Sequence, residues 1–137
     1  MSKVLVADDR ASGRELIRIV LEHCGHLVFE AADGEEAVRS AREFLPDLIF
    51  LDLHMPALDG FGGVKELRRD ERFRTTPIVA LTASAMRGDR RRALAAGFTS
   101  YIAKPIGLNA LRVEIERLLG KESVYVSSCQ RCVLASR

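Results

Sequence analysis

Tryptophan is absent from this chain of 137 residues, aromatic residues make up only 6% of it, and it holds three cysteines, four prolines and ten glycines. A composition of this kind excludes disordered, collagen-like and coiled-coil chains. The cysteines, Cys24, Cys129 and Cys132, are odd in number, which argues against a secreted disulfide framework and makes reduced thiols the default. No apolar run extends much beyond Leu48 to Leu51, far short of the roughly 20 residues a membrane helix needs. The start, MSKVLVADDR, turns acidic after four apolar residues, where a secretory signal would have to continue. A cytoplasmic protein is expected. Charge of one sign is lacking as well. The net charge is +2, and residues 121–137 hold Lys121, Arg131 and Arg137 against Glu122, so residues 1–120 are neutral. A neutral domain has no general electrostatic footprint for nucleic acid.

What is present suits one ordinary globular domain, with 47% hydrophobic and 29% charged residues. At roughly 100 to 150 residues such a domain buries about two-thirds of its unfolded surface without needing a staple. Five apolar runs read as strands: Lys3 to Ala7, Leu27 to Ala31, Leu48 to Leu53, Ile78 to Leu81 and Tyr101 to Ala103. They are nearly continuous in hydrophobicity, the mark of strands covered on both faces in a parallel sheet. Helical patterns separate them. The first carries Leu16, Ile17, Val20 and Leu21 on one face and stops at Cys24-Gly25. The second follows Asp33-Gly34 and runs to about Phe44 before Pro46, and the third covers about Phe61 to Asp70. The fourth spans about Met86 to Ala96 and closes at Gly97; the fifth carries Leu108, Leu111, Ile115 and Leu118 before Gly120. A (βα) unit repeated five times implies an α/β doubly wound parallel sheet with helices on both faces. Residues 1–120 are read as the domain and 121–137 as a C-terminal tail.

In such a fold the ligand site lies at the carboxyl ends of the strands. Those ends present Asp8 and Asp9 after the first strand, Asp52 after the third, Thr82 after the fourth and Lys104 after the fifth. Three carboxylates at one rim repel and raise each other's pKa unless a cation neutralises them, and Mg²⁺ held by carboxylates, waters and phosphate oxygens suits that set. Asp52 is then a candidate nucleophile for a phosphoryl group. Thr82 can donate a hydrogen bond and Lys104 a charge to the phosphoryl oxygens. Without phosphate, Lys104 is expected to pair with Asp52.

The segments VLVADD, LIFLDLHMPALDG, VALTA and YIAKP together resemble the receiver domain of two-component response regulators (CheY-like), over residues 3 to about 119. The resemblance implies a flavodoxin-like (βα)₅ fold with strand order 2-1-3-4-5, and phosphorylation of Asp52 by a histidine kinase or phosphotransfer protein. It implies that Asp8, Asp9 and Asp52 bind Mg²⁺, for which Mn²⁺ can substitute, with the backbone carbonyl of His54 as a further ligand. By the same resemblance Thr82, Ala83 and Lys104 bind the phosphoryl group, Thr82 and Tyr101 form a switch pair, and the Lys104-Pro105 bond is cis. His54 and Ser84 are implied to tune dephosphorylation. Output is expected through the face of helix four, strand five and helix five, in a monomer able to dimerise when phosphorylated. The chain reads as a stand-alone phosphoacceptor signalling protein, with no enzymatic turnover beyond its own phosphotransfer and autodephosphorylation.

Other readings stay open. LTASAMRGDRRRALAAGFTSYIAKPI also resembles receivers attached to hybrid histidine kinases, so a detached receiver is an alternative, as is a phosphorylation-independent scaffold. A phosphatase of the haloacid dehalogenase type would want a carboxylate where His54 stands. Gly60 in the Asp59-Gly60 turn is expected to supply a positive φ. Arg10 is placed to pair with a carboxylate near the site. Cys129 and Cys132 form a C-x-x-C without the second pair that a zinc or redox site wants. Gly13, inside the first helix, costs about 1 kcal/mol relative to alanine, with no reason visible in the sequence.

Overall fold

The computed structural model describes residues 2–82, 87–104 and 106–119, with backbone alone at 87–89. Strands and helices alternate: β1 (Lys3–Ala7), α1 (Ala11–His23), β2 (Leu27–Ala31), α2 (Gly34–Phe44), β3 (Leu48–Asp52), α3 (Gly60–Arg69), β4 (Ile78–Thr82), α4 (Arg87–Ala96), β5 (Ser100–Ala103) and α5 (Leu108–Leu118), with one 3-10 turn at Glu71–Phe73. All five strands are parallel, in the order β2-β1-β3-β4-β5. Because side chains alternate along a strand, each sheet face gathers its own core. Val4, Val6, Leu48, Phe50, Val79 and Leu81 meet Ile17 and Leu21 of α1 and Leu111 and Ile115 of α5. On the opposite face Leu5, Ile49, Leu51 and Ile78 meet Ala37 and Val38 of α2, Val64 and Leu67 of α3, and Ala93 of α4.

Continuous burial holds for the inner strands alone: β1 beyond Lys3, β3 and β4 are buried throughout, whereas Leu27 on β2 is 44% exposed and all of β5 is half-buried. Among the described residues β2 and β5 are the sheet's edges, each with a neighbour on one side only. The apolar stripe of α1 likewise centres on Ile17 and Leu21, leaving Leu16 37% exposed.

Local chemistry sets the helix ends. Asp33 caps α2 by accepting from Glu36 N–H, and Asp59 caps α3 by accepting from Gly62 N–H, each at 2.8 Å. Gly97, with φ +121, ends α4 where an L side chain would be strained. α2 instead ends on Leu45, a left-handed residue with φ 50 that is 44% exposed. Leu45→Gly is expected to stabilise the fold by about 1 kcal/mol, read as a higher urea midpoint at unchanged slope.

Arg68 of α3 stitches the amino-terminal end of the sheet together. Its guanidinium donates to the backbone carbonyls of Gly97 (2.9 Å) and Thr76 (2.8 Å) and to Thr99 Oγ1 (3.3 Å), closing the turns that lead into β4 and β5. Cys24, buried at the end of α1, is disulfide-bonded, which corrects the expectation of reduced thiols. An odd count rules out complete pairing but leaves one pair free to form. The C-x-x-C of Cys129 and Cys132 and the rest of the tail lie outside the described residues. Among the described residues no helix is long and apolar enough to cross a membrane.

Candidate functional site

Strand register brings the chemistry to one rim. Ala7 pairs with Leu51, Asp52 with Leu81, and Thr82 with Ala103, so Asp8, Asp52, Thr82 and Lys104 all lie at the carboxyl edge. Asp8 and Thr82 are fully buried, Asp52 is nearly so, and Asp9 and His54 are exposed at the mouth. Carboxylate oxygens of Asp8, Asp9 and Asp52 lie within 4.8 Å of one another.

Lys104 holds the centre of this group. Its Nζ donates to Asp8 Oδ2 at 2.6 Å and to Asp52 Oδ2 at 2.8 Å, so the expected partner Asp52 is joined by a second. Backbone amides hold the outer oxygens: Arg10 N–H donates to Asp8 Oδ1 and His54 N–H to Asp52 Oδ1, both at 2.9 Å. Arg10 thus serves the site through its backbone, and its exposed side chain forms no ion pair among the described residues.

The two buried carboxyls respond differently to similar surroundings. Burial pushes Asp8 up, but the Lys104 hydrogen bond, the Arg10 amide and the Lys104 charge together outweigh it and hold Asp8 below the ordinary value. At Asp52 burial, reinforced by the charge of Asp8, wins over Lys104 and the His54 amide, and the carboxyl is raised. Burial by itself would lower the Lys104 ammonium, yet its two carboxylate partners raise it. Mutual elevation, expected from like charges, therefore applies to Asp52 and not to Asp8. One ammonium cannot balance three carboxylates, so the cluster keeps a deficit of positive charge. That donor set, oxygen only and open at the Asp9 side, fits a hard divalent cation.

Two glycines explain how the pocket is packed. A Cβ on Gly13 would lie 2.6 Å from Asp8 Oδ2, so the helix residue that looked merely costly leaves room for the buried carboxylate. A Cβ on Gly60 would lie 2.3 Å from the Asp52 carbonyl oxygen and 2.7 Å from Leu53 Cα. Gly60 does not have a positive φ, contrary to the expectation; positive φ falls on Ala57 (φ 65) earlier in the same loop. α3 begins so close to the end of β3 that no side chain fits between them.

Thr82 and Tyr101 also find their places. Ala80 pairs with Tyr101, and alternation puts Thr82 on the same sheet face as Ala80, so Thr82 and the half-buried Tyr101 ring share the face covered by α3 and α4. Ala83, Ser84 and Pro105, with the expected cis bond before Pro105, lie outside the described residues. Sequence reasoning missed Arg14, whose Nη1 donates to the Asp8 backbone carbonyl at 2.6 Å and whose Nε pairs with Glu30 Oε1 at 3.0 Å. Its spacing from Asp8 carries no signal, because Glu30 arrives from another strand.

Comparison with known proteins agrees with this fold. Residues 4–116 match the model of the response regulator receiver domain. The chain is 36% identical over 117 residues to the polar-differentiation response regulator DivK of Brucella ovis, covering 85% of this chain and 95% of that one. It is 38% identical over 117 residues to the probable transcriptional regulator ycf27 of Guillardia theta, covering 85% of this chain but only 45% of that relative, so it spans about half the length of such regulators. Among solved structures, the receiver domain of a sensor histidine kinase from Pseudomonas aeruginosa, which has a magnesium ion coordinated in its active-site cleft, superposes with a TM-score of 0.80 at 38% identity, over 87% of this chain and 98% of that one. Fold and kinship coincide: the chain belongs to the response regulator receiver domain family.

Proposed function

We propose that Asp52 is the phosphoacceptor of this receiver domain and that Asp8, Asp9, Asp52 and the His54 carbonyl hold Mg²⁺ beside it. The observation that carries this reading is the Lys104 ammonium bridging the buried carboxylates of Asp8 and Asp52 at 2.6 and 2.8 Å. It waits at the place where phosphoryl oxygens would need a positive charge. When bound, Mg²⁺ would offset carboxylate repulsion and the charge of the transferring group. An Asp52 Oδ attacks phosphorus of a phosphohistidine, the new O–P bond forming as the N–P bond breaks and the imidazole leaves. Lys104 turns from a carboxylate to a phosphoryl oxygen, and the Thr82 hydroxyl donates to another. A cytoplasmic location accompanies this reading, since phosphohistidine donors are made where ATP is.

The output step uses the shared sheet face. Drawing the Thr82 hydroxyl toward the phosphoryl group frees space beside Tyr101, whose ring can turn inward and reshape the surface of α4, β5 and α5. Partners that prefer that surface, whether a downstream protein or a second copy, shift the population toward it. His54, exposed two residues past Asp52, is placed to influence water approaching the acyl phosphate. The single-domain form fits the 95% coverage of DivK, and attachment to a longer regulator fits the ycf27 relatives.

The test is intact mass after incubation with Mg²⁺ and a small acyl phosphate, with Asp52→Asn alongside. One phosphoryl adduct on the wild type and none on the variant is the expected result. An equal adduct on both would move the acceptor elsewhere, and none on either, with a phosphohistidine donor also failing, would favour the scaffold reading.

A further inference from the structure

The first turn of α1 supplies something the acidic cluster lacks. Asp9 is the exposed member of the three carboxylates, and one peptide plane joins it to Asp8. The oxygen of that plane is the Asp8 carbonyl, which Arg14 Nη1 holds at 2.6 Å. Arg14 is in turn anchored by Glu30 on β2, whose Oε1 receives Arg14 Nε at 3.0 Å and whose Oε2 lies 3.2 Å from Arg18 Nε. The Arg14 side chain is only 18% exposed, so the contact is held inside the shoulder between α1 and β2. The N-cap of α1 is Arg10, which makes no side-chain capping bond, so a cap of the usual kind does not hold this turn.

From this arrangement we infer that Arg14, held by Glu30, is a positioning residue for divalent-cation binding: it locks the Asp8–Asp9 peptide so that both carboxylates face one point. The inference rests on the cation site proposed above. Charge by itself predicts the opposite, because a guanidinium beside a cation site repels the cation. Glu30 offsets that charge, and what remains is a geometric constraint on the ligand-bearing peptide. Partners of this outer kind commonly change metal affinity by 10-fold or more when removed.

The experiment is calorimetric titration of Mg²⁺ into the full chain, as wild type, Arg14→Met, Arg14→Lys and Glu30→Gln, with a thermal melt of each to establish folding. Arg14→Met is expected to weaken Mg²⁺ binding about tenfold, although it removes a positive charge. Arg14→Lys should recover part of the loss, since an ammonium can reach one acceptor but not hold the fork across both. Glu30→Gln should fall between wild type and Arg14→Met. Backbone amide exchange at Arg10 should also speed up in metal-free Arg14→Met, a change that lost charge by itself would not produce. Unchanged or tighter Mg²⁺ binding in folded Arg14→Met overturns the inference. Should that variant not fold, wild-type affinity in both Arg14→Lys and Glu30→Gln overturns it equally. A wild type that binds no Mg²⁺ would remove the cation site itself, and this inference with it.

Discussion

Gly60→Ala is expected to cost about 3 kcal/mol and to abolish most phosphoryl uptake at Asp52. The added methyl would lie 2.3 Å from the Asp52 carbonyl oxygen, 2.7 Å from Leu53 Cα and 2.9 Å from the Asp52 carbonyl carbon. All three atoms are backbone of the strand end that carries the acceptor, so relief requires β3 and α3 to part. The Gly60 N–H bond to the Leu53 carbonyl, now 3.0 Å, would be lost in the same movement. Gly62→Ala is the matched control, because its methyl would meet the tip of the Leu58 side chain, which can turn away. Alanine there should be neutral, or stabilising by up to about 1 kcal/mol through helix propensity. Urea titrations of both variants, with adduct yield by mass, check the contrast. Equal stability of the two would mean that the β3–α3 junction is softer than its packing implies.

Lys104→Met is expected to destabilise the metal-free protein by about 2 kcal/mol, the cost of stranding buried carboxylates reduced for an ammonium that remains partly exposed. The side chain is 22% exposed and bridges carboxylates that are 0% and 6% exposed. For a domain of this size the loss should appear as a melting temperature lower by roughly 8 to 10 °C. Saturating Mg²⁺ should close most of the gap, because the cation supplies the missing charge and binding to the folded state stabilises it. Acid should narrow the gap as well. Asp8, held below 3.8 by burial overcome by Lys104 and the Arg10 amide, contributes stability that is present above that value and lost as pH falls through its folded pKa. Asp52, raised by burial, works in the opposite sense and gains stability as it takes up a proton. Melts at neutral and acid pH, with and without Mg²⁺, give the four values needed. A variant that melts with the wild type in the absence of metal would show that solvent, not Lys104, balances the pocket.

Some of this site was legible because it is written locally. Asp8, Asp52 and Thr82 each follow or finish an apolar run, and a parallel sheet carries the ends of such runs to one rim whatever the helices do between them. Lys104 could be read in the same way from β5. The edge strands are harder to read, since Leu27 to Ala31 is apolar apart from Glu30 and, among the described residues, has β1 alone for a neighbour. The reason for Gly13 is invisible in the sequence, and Gly60 lacks its expected positive φ, for a related reason. Sequence rules describe what glycine does to its own φ, whereas here the need comes from an atom of Asp8 or Asp52 brought close by folding.

The sequence by itself determined the element order, the parallel doubly wound sheet and the identities of the strand-end residues, because hydrophobic period and caps act over a few neighbouring positions. Tertiary structure alone decided that Lys104 bridges two carboxylates, that Asp8 and Asp52 shift in opposite directions, and that Arg14 reaches Glu30 across the shoulder of β2. Each depends on distances of a few ångströms between residues up to 96 positions apart. Hydrogen bonds, charge pairs and steric clashes fall off within such distances, and only the folded chain sets them.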